Sequence, residues 1–178
     1  MKKEAWFADW FNSPYYHILY KHRDFEEAAF FIDNLVEYLN PKPNATSLDL
    51  ACGNGRHALY LCQKDFDVYG IDLSENNIRE AKKLICHNLH FEVHDMREVY
   101  KENFFEYVFN FFTSFGYFEN EQDNQSTINA IAADLQMGGS CIIDFMNVPR
   151  VLAHLKEEEV VQRDGIEFHM TRRHEGGF

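Results

Sequence analysis

The segment Leu48-Asp49-Leu50-Ala51-Cys52-Gly53-Asn54-Gly55-Arg56-His57-Ala58 constrains this chain more than any other. A short apolar strand runs into a glycine turn, and the turn opens a helix. Glycines at such a turn permit positive φ and let a ligand approach the backbone closely. The helix start adds free N–H groups, which suit an anionic ligand group.

The rest of the chain alternates in the same way. Ser47 to Leu50, Phe66 to Ile71, Leu89 to Val93, Tyr107 to Phe112 and Cys141 to Phe145 read as strands. Arg56 to Gln63, a Ser74-capped stretch through Ile85, and Asp123 to Leu135 (stopped by Gly138-Gly139) read as helices. Strands separated by helices predict right-handed crossovers and a parallel sheet. Ahead of them lies an aromatic segment with Trp6, Phe7, Trp10, Phe11, Tyr15 and Tyr16, then an amphipathic helix over Asp24 to Leu39, broken by Pro41 and Pro43. Behind them, Val151 to Glu159 is charged and helix-like. Val160 to Arg163, Asp164-Gly165 and Ile166 to Arg172 read as a β-hairpin. The expected architecture is α/β: a doubly wound, mainly parallel sheet with helices on both faces. It forms one domain over residues 1–178, with a helical cap (1–40), a cofactor-binding core (41–147) and a C-terminal hairpin-like extension (148–178).

Charge and cysteine usage narrow the partners. Lys plus Arg number 17 against 29 Asp plus Glu, a net −12, which repels a phosphate backbone; no nucleic acid is expected. A small molecule or a cationic ligand fits better. No apolar run approaches a membrane span, and MKKEAWFADWF lacks the apolar stretch of a signal peptide. Cys52, Cys62, Cys86 and Cys141 form no CxxC pair and read as reduced thiols of a cytoplasmic protein. His87, His90 and His94 span a strand, where a four-residue step does not converge, so no metal is expected.

Three acids stand at strand ends. Gly53-x-Gly55-x-x-Ala58 satisfies a relaxed dinucleotide fingerprint, but a pyrophosphate there would meet the Asp49 carboxylate. S-adenosylmethionine carries a sulfonium and an α-ammonium instead, so an acid is welcome; a turn or capping acid is the alternative. Asp72 follows Gly55 by 17 residues, near the roughly 20 at which an acid accepts from ribose hydroxyls. It can also serve the next helix. Asp95, in His94-Asp95-Met96, can accept from an adenine amino group. The Met96 N–H can donate to a ring nitrogen while its thioether packs on the ring.

In order and spacing, Leu48 to Gly55, Asp72, Asp95-Met96 and the Phe104–Phe112 strand resemble the class I (Rossmann-like) S-adenosylmethionine-dependent methyltransferase family, over about Thr46 to Phe145. The resemblance implies that Ala51, Cys52, Gly53 and Gly55 pass under the methionine part of the cofactor. It implies ribose on Asp72, adenine on Asp95, Leu73 against the adenosine, and Asn110 or Phe111 close to the methionine moiety. Ala51 stands where the family commonly has Gly, and Phe105-Glu106 where many members have Phe-Asp. The family's sheet has seven strands and this chain reaches five. Either the hairpin-like tail supplies an unusual edge or the chain is truncated before the last strands; truncation is the expectation, and exposed strand edges would then favour a homo-oligomer. The N-terminus resembles the cap of small-molecule methyltransferases. Tyr15-Tyr16-His17 and Tyr20 through Arg23 would close over the cofactor, with Arg23 on its carboxylate and aromatic faces near the sulfonium; core packing is the alternative.

The implied function is methyl transfer to a small-molecule acceptor. A NAD-dependent oxidoreductase and a cofactor-binding, non-catalytic subunit are the alternatives. Ser114 and Tyr117 are acceptor-site candidates; His17, Tyr20 and Tyr117 are candidate bases, none singled out.

Overall fold

The computed structural model describes residues 10–11, 13–20 and 25–174. Trp6, Phe7, Arg23, the side chain of His17 and the tail from Glu175 lie outside the described residues. Helix α1 (Pro14–Leu19) is opened by Ser13, whose hydroxyl accepts the Tyr15 N–H, with Pro14 at the first position. Helix α2 (Phe25–Leu39) buries Ala28 and Ile32 completely.

The core units follow in order: β1 (Thr46–Leu50), α3 (Arg56–Gln63), β2 (Asp67–Asp72), α4 (Glu75–Ala81), β3 (Leu89–Val93), β4 (Phe105–Asn110), α5 (Glu121–Asp134) and β5 (Leu135–Ile143). The five strands form one parallel sheet in the order β3-β2-β1-β4-β5. Strand order reverses between β1 and β4, and such sheets bind ligands at that crevice, beyond the carboxyl ends of the strands. Leu48, Leu50, Ile71, Phe105, Val108 and Ile131 pack on one face. Ile32, Ala58, Leu61, Phe66, Val68 and Phe109 pack on the other. Asp49 alternates with its leucine neighbours, so it points to this second face, where α3 lies.

Several boundaries differ from the sequence reading, and four of the differences have a clear local reason. Helix α4 stops at Ala81, because Lys83 and Leu84 donate to carbonyls three residues back and tighten the last turn. Strand β4 stops at Asn110, because Phe112 and Thr113 take φ of 64° and 54°. Gly138-Gly139 do not end a helix; they lie inside β5, which bulges against β4 between Phe105 and Tyr107. The stretch after Pro149 is helical only in α6 (Val148–Ala153), capped by Asn147. The hairpin forms as expected from β6 (Glu158–Arg163) and β7 (Ile166–Thr171). Asp164 and Gly165 both have positive φ, as a two-residue turn of this kind requires.

The cysteines correct the reduced-thiol reading. Cys62 and Cys86, 24 residues apart, form a disulfide; Cys52 and Cys141 are free. The signal was invisible in spacing, because the fold alone brings the end of α3 to the α4–β3 connection. Among the described residues no helix is long and apolar enough to cross a membrane.

Candidate functional site

The carboxyl ends of β1, β2 and β4 converge at the glycine turn. Ala51, Gly53 and Gly55 all have positive φ (62°, 56° and 83°), and the Gly55 N–H closes the turn on the Cys52 carbonyl at 3.0 Å. Ala51 therefore adopts the geometry that the family's glycine allows, at a cost of about 1 kcal/mol. The Cys52 N–H donates to Ile71, tying the turn to β2. A Cβ built on Gly53 would meet nothing within 4 Å, so the turn is open on that side.

Gly55 and Gly70 have a different purpose, and Gly70 was not singled out by the sequence. A Cβ on either would lie 2.6 Å from the Phe91 ring. Phe91 fills a notch that both glycines leave, and so sets the height of the turn above β2. Gly55→Ala, which adds strain at φ 83° to this overlap, is expected to cost about 2–4 kcal/mol of stability. Urea unfolding should show it, and Phe91→Leu in the same chain should recover part of the loss.

Asp72 braces the turn from β2. Its Oδ2 accepts the Gly53 N–H at 2.9 Å, and its Oδ1 accepts the Ser74 N–H at 2.8 Å and the Asn77 amide at 3.3 Å. One carboxylate thus organises both the turn and the start of α4, while Ser74 itself caps that helix through the Asn77 N–H. Leu73 beside it is half exposed.

Asp49 is only 1% exposed. Its carboxyl accepts the Ala58 N–H in the first turn of α3, whose own N-cap, Gly55, offers no side chain. The capping reading of Asp49 is therefore met by one of its oxygens. Oδ2 has no partner, nor has Oδ1 of the fully buried Asn110, whose amide donates to the Leu50 carbonyl at 2.8 Å. Burial, then the nearby Asp72 charge, push Asp49 up to about 7. Two unsatisfied acceptors at the switch point, one of them acidic, fit a ligand that brings cationic donors. The α-ammonium of S-adenosylmethionine is such a group.

Asp95 is held by Arg97. Arg97 donates from its backbone and Nε to Oδ1, and from Nε and one terminal nitrogen to Oδ2, at 2.5–3.1 Å. The same guanidinium reaches Asp123 in the first turn of α5 at 3.1 Å and lies over the Phe118 ring. Arg97 was not a sequence candidate, although Asp-x-Arg after a strand was visible. Met96 packs against the Leu48–Val108 face of the core.

Aromatic groups line the next loop. Phe112 stacks edge-on with Tyr20, which packs on Tyr16; Tyr117 meets Phe11; Arg56 lies over Phe112. Asp144, also unforeseen, fastens the strained corner: its Oδ2 accepts the Phe112 N–H and its carbonyl accepts the Thr113 N–H. The Ser114 hydroxyl donates to Phe111 within the turn. His57 packs against Phe111, and burial beside Arg56 lowers it to about 3, so its ring stays neutral. The structure thus brings Ala51 to Gly55, Asp49, Asp72 and Asn110 together at the carboxyl end of the sheet, with Asp95, Met96 and Tyr20 on the segments that follow their own elements.

Comparison with known proteins gives one consistent answer. The "Methyltransferase domain" family profile matches residues 48–139. The chain is 28% identical over 144 residues to dTDP-3-amino-3,4,6-trideoxy-alpha-D-glucopyranose N,N-dimethyltransferase of Streptomyces venezuelae, covering 80% of this chain and 60% of that one. The crystal structure of S. venezuelae DesVI superposes with a TM-score of 0.65 at 26% identity, over 88% of this chain and 67% of that one. A Clostridium acetobutylicum S-adenosylmethionine-dependent methyltransferase shares the fold with a TM-score of 0.71 at 20% identity, over 91% of this chain and 67% of that one. The chain spans about three fifths of the length of the curated Streptomyces relative.

Proposed function

The chain belongs to the class I, Rossmann-like S-adenosylmethionine-dependent methyltransferase family, and from that premise we propose that it methylates an amine nitrogen of a small-molecule acceptor. The carrying observation is the pair of unsatisfied buried acceptors, Asp49 Oδ2 and Asn110 Oδ1, beneath a turn braced by Asp72. They favour a cationic cofactor and disfavour the pyrophosphate of the NAD alternative. The amine preference rests on the Streptomyces relative, an N,N-dimethyltransferase acting on an amino sugar.

S-adenosylmethionine supplies an electrophilic methyl group on a good thioether leaving group. In our reading the chain's own residues provide binding and alignment. Ala51 to Gly55 would hold the methionine portion, Asp49 and Asn110 would answer its ammonium, and Asp72 would accept from the ribose hydroxyls. Asp95, with Leu73 and Met96, frames the adenine. Tyr20, Phe112 and Tyr117 border the acceptor and keep water out. An amine attacks through its lone pair and loses its proton afterwards, so no strong base is required of these residues. The proposed setting is the cytoplasm, where the Cys62–Cys86 bridge would be open to reduction.

Arg97 acts in this reading as a positioning residue. Arg97→Gln frees Asp95 from its clamp and is expected to weaken S-adenosylhomocysteine binding about tenfold. The 6-oxo analogue, which lacks the adenine amino group, should lose less. Equal losses for both ligands would place Arg97 outside adenine recognition. The function itself is tested with methyl-labelled S-adenosylmethionine and a panel of amino-sugar nucleotides, simple amines, phenols and thiols. Label transferred to amines supports the proposal. Transfer confined to oxygen or sulfur acceptors, or cofactor binding with no transfer to any, contradicts it; the latter outcome fits the non-catalytic subunit.

A further inference from the structure

A second cluster of reactive side chains lies at the end of α3 remote from the glycine turn. Cys62 sits in the last helical turn, 2% exposed. Cys86 and His87 lie in the connection from α4 to β3, Cys86 half-buried and His87 exposed. The two sulfurs are joined in the disulfide, with Cα atoms 6.5 Å apart, and one ligand atom from each of the three residues lies within 4.8 Å of the others. Methyl transfer as derived above uses none of them.

We propose that, once the bridge is reduced, Cys62, Cys86 and His87 bind one thiophilic divalent cation of the zinc type. Two thiolates and an imidazole are the ligand set that selects such ions over magnesium or calcium, which want oxygen. Charge supports the assignment: two thiolates neutralise the cation, so the buried Cys62 sulfur carries no uncompensated charge. Two sulfurs on one zinc stand about 3.8 Å apart, given Zn–S bonds of about 2.3 Å and tetrahedral angles. Cys86 lies on a connection outside helix and strand, so rotation of its side chain can provide that separation. Three protein ligands leave a fourth position on the exposed His87 side for water.

A dithiol gives its two hydrogens to the cysteine sulfurs and leaves as its own cyclic disulfide. Cation binding then releases both thiol protons to solvent. Oxidation and cation binding exclude one another, and either state ties α3 to the α4–β3 connection.

The test uses cobalt(II) as a spectroscopic probe for zinc. The full chain is reduced with dithiothreitol, freed of it without air, and titrated. The expected result is one cobalt per chain, with sulfur-to-metal charge-transfer absorption that zinc(II) displaces. The disulfide form should show none. Cys86→Ser, at a half-buried connection residue, should abolish the band. His87→Gln should keep the band and weaken binding by at least about tenfold. Cys141→Ser should change nothing. Absence of the band in reduced, folded protein, its survival in Cys86→Ser, or unchanged affinity in His87→Gln would overturn the assignment.

Discussion

Asp72→Ala is expected to weaken S-adenosylhomocysteine binding by about 100-fold. Our reading gives Asp72 two ribose hydroxyls, and hydrogen bonds to a charged acceptor are worth about 1.5 kcal/mol each at the low end. Two of them make about 3 kcal/mol, or about 100-fold in Kd. The same change removes the acceptor of the Gly53 N–H, so the turn loses its brace together with its ligand contact. Asp72→Asn keeps one acceptor oxygen and should lose about tenfold. The fold should survive both changes, since Ser74 still caps α4. Calorimetric titration gives the Kd values and urea unfolding gives the stabilities. A wild-type Kd in Asp72→Ala would remove the ribose role.

Asp49→Asn should move stability and affinity in opposite directions. The Asp49 carboxyl titrates near 7 in the folded chain against an ordinary value of 3.8. Between those values the folded state holds a proton that the unfolded state has released. Stability therefore falls as pH rises from about 4 to about 7, and the deficit is complete above that. Ionising a carboxyl raised from 3.8 to about 7 costs the folded state roughly 4 kcal/mol. Asparagine carries no charge and can still accept the Ala58 N–H, so the variant should be more stable than wild type at pH 8 by a large part of that amount. At pH 4 the difference should vanish. The ligand's ammonium favours ionised Asp49, so cofactor binding to the wild type near pH 6 should release a proton. Calorimetry in buffers of differing ionisation enthalpy detects it. Asp49→Asn should release none and should bind at least about tenfold more weakly. A variant that binds as tightly as wild type would leave Asp49 as a helix cap only.

The sheet was legible because strand, turn and helix alternate through the core with clear apolar periods. The β1–α3 turn was legible in detail, since Gly53 and Gly55 can be recognised before their φ angles are known. Other features depend on contacts that no local pattern carries. Gly138-Gly139 look like a helix stop, yet they serve a bulge that only the β4 pairing explains. Gly70 looks like a weak spot in a strand until Phe91 is placed against it. Arg97 and Asp144 act on residues brought near by the sheet order, and the Cys62–Cys86 bridge joins segments that only the fold makes neighbours. For Asp49 the capping reading is met by one oxygen, and the other oxygen is buried without a partner, which local sequence could not show.

The most direct test of the account is calorimetric titration of the unmodified chain with S-adenosylhomocysteine and, separately, with NAD. Saturable one-to-one binding of S-adenosylhomocysteine is expected, with proton release below pH 7, and no heat from NAD. A folded protein that binds NAD, or neither ligand, would contradict it.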